Sequence, residues 1–101
     1  MKIQFLYFDG CPSHEKALNR LKEAMQLEKI NSHIEIKEIS TQQEAENFSF
    51  PGSPTILIND QDIDLVPQNP YFALTCRAYK LPDGKISPLP PLELIQNALR
   101  K

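Results

Sequence analysis

The chain predicts an α/β sandwich, with a mixed sheet of about four strands flanked by helices. Three observations carry this. A strand-like run, a long amphipathic helix and a second strand-like run follow one another over residues 2–39. A β-rich run, Thr55–Ile58, is followed at once by a turn signal and a further short run. An apolar helical stripe closes the chain from Pro91. A strand–helix–strand unit of this length implies parallel strands joined by a right-handed crossover, and the hairpin after it extends the same sheet.

Lys2-Ile3-Gln4-Phe5 alternates and then runs into Leu6-Tyr7-Phe8, a strand that starts half exposed and ends buried. Asp9-Gly10 breaks it. Pro12 and Ser13 open the first helix, since proline is favoured where a helix N–H has no partner. From Ser13 to about Lys29, the residues Ala17, Leu18, Leu21, Ala24, Met25 and Leu27 fall at helical spacing, and Asn31-Ser32 ends the helix. His33–Ile39 alternates as a strand, with Ile34, Ile36 and Glu38 on one face or Ile39 with Glu35 on the other, and His33 reads as a surface residue at its edge. Ser40-Thr41-Gln42-Gln43-Glu44 has the form of a capping box and starts a short helix to about Asn47.

Residues 48–54 form a loop, Thr55–Ile58 a strand ending at Asn59-Asp60, and Asp62–Val66 a strand pairing back. Residues 67–91 hold several prolines and the turn signal Pro82-Asp83-Gly84, and their period does not separate strand from helix. In the last helix Leu92, Ile95, Ala98 and Leu99 make one stripe, and Arg100 and Lys101 suit its carboxyl end.

With 101 residues there is room for one domain, 1–101. A net charge of -2 offers no general attraction to phosphate backbones or anionic lipid, so neither nucleic acid nor membrane is expected as a partner. The amino-terminal apolar run is too short for a leader or a membrane span, which favours a cytoplasmic location. Only two cysteines are present, Cys11 and Cys76. They exclude a disulfide scaffold or a four-thiolate metal site within one chain, and no cofactor is expected. A free thiol, a reversible pair and two inert buried residues remain open.

Cys11 lies where the first strand passes into the first helix. Unpaired N–H groups and the positive end of the helix dipole favour an anion there, which lowers a thiol pKa and makes the thiolate a nucleophile. His14, three residues on, would stabilise the thiolate further if protonated. Asp60, Asp62 and Asp64 alternate as calcium ligands do, but the glycine and terminal glutamate of an EF-hand loop are missing. Ala17 occupies the position where a low-molecular-weight phosphatase would need arginine.

Two motifs resemble the thioredoxin and glutaredoxin superfamily. Cys11-Pro12-Ser13-His14 looks like a Cys-Pro-x-Cys motif whose second cysteine has become histidine, and Gly52-Ser53-Pro54-Thr55-Ile56-Leu57 is similar to the family's cis-proline loop and following strand. The overall pattern, including Cys76-Arg77-Ala78-Tyr79, looks most like small thioredoxin-like proteins of bacteria. The resemblance implies a thioredoxin-like α/β/α sandwich, a cis Pro54 facing Cys11, and substrate contacts from Pro12, Ser13, Ser53 and Pro54. It also implies thiol-disulfide oxidoreductase activity on protein or small-molecule thiols and disulfides. With His14 in place of the second cysteine, the family's local disulfide cannot form, and Cys76 becomes the candidate resolving thiol. The glycine-rich glutathione-binding segment is replaced by Asn59-Asp60-Gln61-Asp62-Ile63-Asp64. Two alternatives stand beside the oxidoreductase: a non-catalytic peptide- or protein-binding module, and a protein handling soft metals or arsenic through the Cys11/Cys76 pair.

Overall fold

A computed structural model describes residues 1–10, 13–64, 74, 79–81, 83–87 and 89–100. The fold is α/β. Strand β1 (Ile3–Tyr7) is followed by α1 (His14–Leu27), β2 (Ile34–Glu38), α2 (Gln42–Asn47), β3 (Thr55–Ile58) and β4 (Gln61–Asp62). A small hairpin, β5 (Tyr79–Lys80) with β6 (Ile86–Ser87), precedes α3 (Leu92–Leu99). The main sheet is open and mixed, in the order β2-β1-β3-β4. β1 pairs in parallel with β2 and antiparallel with β3, and β3 turns back antiparallel into β4.

Alternation along β1 and β3 builds a core on each face of this sheet. Ile3, Phe5, Ile56 and Ile58 point to one side, where they meet Ala17, Leu21, Ala24 and Met25 of α1 and Ile95 and Leu99 of α3. Leu6 points to the other side, where it meets Ile39, Phe50 and Ala45 of α2. Two polar clamps fix α3 beside α1. The Arg20 guanidinium donates to the Pro90 carbonyl at 2.8 Å, and Glu28 accepts two bonds from Arg100 and one from Gln96. The two helices therefore run in the same direction, and the Arg100 guanidinium holds the Glu28 carboxyl below its ordinary pKa.

Helix α1 ends before the predicted Asn31-Ser32 boundary, for a backbone reason. Lys29 takes a left-handed φ of 57°, so its N–H bonds to Gln26 and the N–H of Ile30 bonds to Met25. This is a Schellman closure, normally a glycine position. Helix α2 closes the same way, with Ser49 at φ 52° and Phe50 folding back onto Ala45. The predicted strand 62–66 begins one residue earlier, at Gln61; Leu65 and Val66 lie outside the described residues, as do Lys101 and most of 67–78. Asn59 and Asp60 both have positive φ, the geometry of a tight hairpin turn, and Asn59 and Asp60 also bond back to Lys2.

The two faces that the period separates in β2 are both largely exposed, apart from Ile34 and Ile39. β2 is an edge strand among the described residues, and Ile36 is 52% exposed. The segment 67–91, where period gave no assignment, contributes the β5–β6 hairpin, with Gly84 at φ 88° in its turn.

The capping box at α2 forms as the sequence predicts. The Thr41 hydroxyl accepts from the Glu44 N–H at 3.1 Å, and the Glu44 carboxylate reaches back to the hydroxyl and N–H of Ser40. The Ser40 hydroxyl, then its N–H and then Lys37 push the Glu44 pKa down to about 2. A carboxylate depressed in the folded state stabilises fully above its unfolded pKa near 4.5, and that contribution disappears as pH falls toward 2. Acid titration of stability should therefore fall across this window, and Glu44→Gln should flatten it; an unchanged acid limb would show that the box carries no such linkage.

Candidate functional site

Ser13 and His14 at the amino end of α1 and the 52–55 loop are brought to one edge of the sheet by strand direction alone. β1 runs toward this edge and ends at Tyr7, while β3 starts from it, with Thr55 paired to Leu6. The loop Gly52–Pro54 therefore lies level with the residues that lead from β1 into α1. The end of β2 joins them, the Ile39 N–H donating to the Tyr7 carbonyl at 2.7 Å.

Ser13 is the N-cap residue of α1. Its carbonyl accepts from Ala17 at 3.1 Å, and its hydroxyl makes no capping bond. His14 opens the helix, and its ring stacks on Tyr7 with centroids 4.6 Å apart and planes 19° from parallel. This stacking fixes the imidazole over the end of β1. A Cβ at Gly10 would stand 2.5 Å from the tip of the Phe8 ring, so a larger residue there would displace that ring. Cys11 and Pro12, in the two positions between Gly10 and Ser13, lie outside the described residues, as does Cys76.

The Ser53–Pro54 peptide bond is cis, the isomer that the resemblance implied. Ser53 and Pro54 are buried, so Ser53, expected to contact substrate, exposes no surface. The loop is held from two sides. The Thr55 hydroxyl donates to the Gly52 carbonyl at 2.6 Å, and the Tyr79 hydroxyl donates to the Pro54 carbonyl at 2.6 Å.

Tyr7 and Tyr79 are the residues that sequence reasoning missed. Tyr79 is fully buried, and a buried tyrosine hydroxyl needs a partner, which here is the Pro54 carbonyl. The aspartates of the rejected calcium pattern are committed elsewhere: Asp60 to Lys2 at 3.0 Å, and Asp62 to the Asp64 N–H at 3.0 Å. Among the described residues no group of three or more His, Cys, Asp or Glu side chains could hold a metal ion, and no helix is long and apolar enough to cross a membrane. A cavity of about 300 Å³ opens at the far end of β3, lined by Ile58, Asn59, Gln61, Asp62, Ile63 and Ala98, away from this edge.

Comparison with protein-family models, with curated proteins and with solved structures finds no match for the chain.

The Tyr79–Pro54 bond gives the loop a test. Tyr79→Phe leaves a buried carbonyl without this donor, which should cost about 1–3 kcal/mol. Urea unfolding measures the loss; a change within a few tenths would show that the loop is held by packing alone.

Proposed function

We infer that the protein is a thioredoxin-like thiol-disulfide oxidoreductase in which Cys11 is the nucleophile. The observation that carries this is the convergence, at one sheet edge, of the start of α1 with the Gly52–Thr55 loop. The strand order β2-β1-β3-β4, with β1 and β2 parallel and β3 reversed, supports the thioredoxin-like arrangement. Cys11 stands two positions before the N-cap Ser13, where helix N–H groups and dipole favour a thiolate.

In the reaction the Cys11 thiolate attacks one sulfur of a substrate disulfide, and the other sulfur leaves as a thiolate. The mixed disulfide is then attacked at the Cys11 sulfur by Cys76 or by an outside thiol. This releases the first substrate sulfur, so the substrate disulfide is reduced and the Cys11 pair oxidised. His14, held against Tyr7, supplies a ring of fixed orientation at the helix start. In this reading Pro12 and Ser13, next to Cys11 in sequence, and Pro54 of the cis loop are the residues that would meet the substrate around the thiol. Ser53, enclosed, belongs to the packing of that loop.

The test is pH-dependent alkylation of the Cys76→Ser variant, in which Cys11 is the sole thiol. A Cys11 pKa clearly below the ordinary value of about 8.5 is expected, together with loss of disulfide reduction in Cys11→Ser. A pKa at or above that value removes the physical basis of the chemistry.

A further inference from the structure

The free edge of the sheet carries a pattern that is complementary to itself. β2 pairs only with β1 among the described residues, and Glu35, Ile36, Lys37 and Glu38 are all exposed. The direction of its unused backbone groups follows from the pairing. The Ile39 N–H points at β1, so by alternation the N–H and C=O groups of Lys37 and Glu35 also face β1. Those of Ile34, Ile36 and Glu38 face outward.

We propose that β2 is the homodimer interface: it pairs antiparallel with β2 of a second copy about a two-fold axis at Ile36. This register matches each outward backbone group with one on the partner copy. Ile36 meets Ile36 and Ile34 meets Glu38 as hydrogen-bonded pairs, and the two sheets become one continuous sheet. The same register sets Glu35 opposite Lys37 twice, at the non-hydrogen-bonded positions where cross-strand side chains come closest. A one-residue slip would put outward groups against groups already used by β1. A two-residue slip centred on Lys37 would put Lys37 against itself. Charge and register thus select one pairing.

The surroundings fit a second copy. Ile36 on one face of the sheet and Phe48 on the other are 52% and 44% exposed, large apolar side chains beside an open strand edge. Glu35, Lys37 and Glu38 are charges of the kind that discourage unspecific edge pairing, so only a register that sets opposite charges together admits a second copy. Lys37 lies 5.8 Å from the centroid of the Phe48 ring and 3.3 Å from Glu44, so its ammonium is held on the Phe48 side of the sheet.

The experiment is sedimentation equilibrium of the full chain under reducing conditions, so that the cysteines cannot link copies. The protein should behave as a dimer in reversible equilibrium with monomer. Lys37→Glu faces Glu35 with a like charge in both symmetric pairs and should weaken association roughly tenfold. The double variant Glu35→Lys/Lys37→Glu restores the opposite-charge pairs and should recover the dimer. It also lacks the Lys37–Glu44 contact, so its recovery separates the interface from any local effect on α2. Circular dichroism should show all variants folded, as these side chains are exposed. A chain that stays monomeric at high concentration, or a dimer indifferent to both charge changes, overturns the proposal.

Discussion

The antiparallel pairing of β1 with β3 is the constraint on which the candidate site depends. Because Thr55 sits opposite Leu6, one strand ends where the other begins, and the loops at that edge have no choice of neighbour. Slipping the register by one residue would turn Ile56 and Ile58 out of the main core and Leu57 into it, which the apolar faces of α1 and α3 forbid. Hydrophobic burial on the two faces of the sheet therefore fixes, to the residue, what stands beside the start of α1.

Polar contacts refine that frame. The loop before β3 is tied by Thr55 and by Tyr79, a residue 25 positions further along the chain. The helix start is tied by the stacking of His14 on Tyr7. The two ties act on opposite walls of the same edge, one from the β5–β6 hairpin and one from β1. At the other end of α1 the Glu28 carboxylate gathers Arg100 and Gln96, so α3 is held along α1. The site is thereby built on packed elements even though its residues come from turns and element ends.

Much of this was legible in the sequence where local rules decide. The period of Ala17, Leu21 and Ala24 marked the buried stripe of α1, and the Thr41–Glu44 spacing marked a capping box that forms. Helix ends were less legible, because Lys29 and Ser49 take left-handed positions where glycine would have been the signal. Nothing local distinguishes an edge strand from a central one, so the exposure of Ile36 became evident only from strand order. The partnership of His14 with Tyr7 and of Tyr79 with Pro54 joins residues that carry no shared motif. Such contacts follow from topology, which the spacing of residues along a chain does not encode.

The claim that the α1 start and the 52–55 loop form one site has a direct measurement. Alkylating Cys11 with iodoacetamide in the Cys76→Ser variant, and following backbone amides by heteronuclear NMR, reports what lies around the sulfur. The account predicts shifts concentrated at Ser13, His14, Gly52, Ser53 and Thr55, with the far turn at Asn59 and Asp60 unchanged. Shifts confined to α1, with the loop silent, would contradict it.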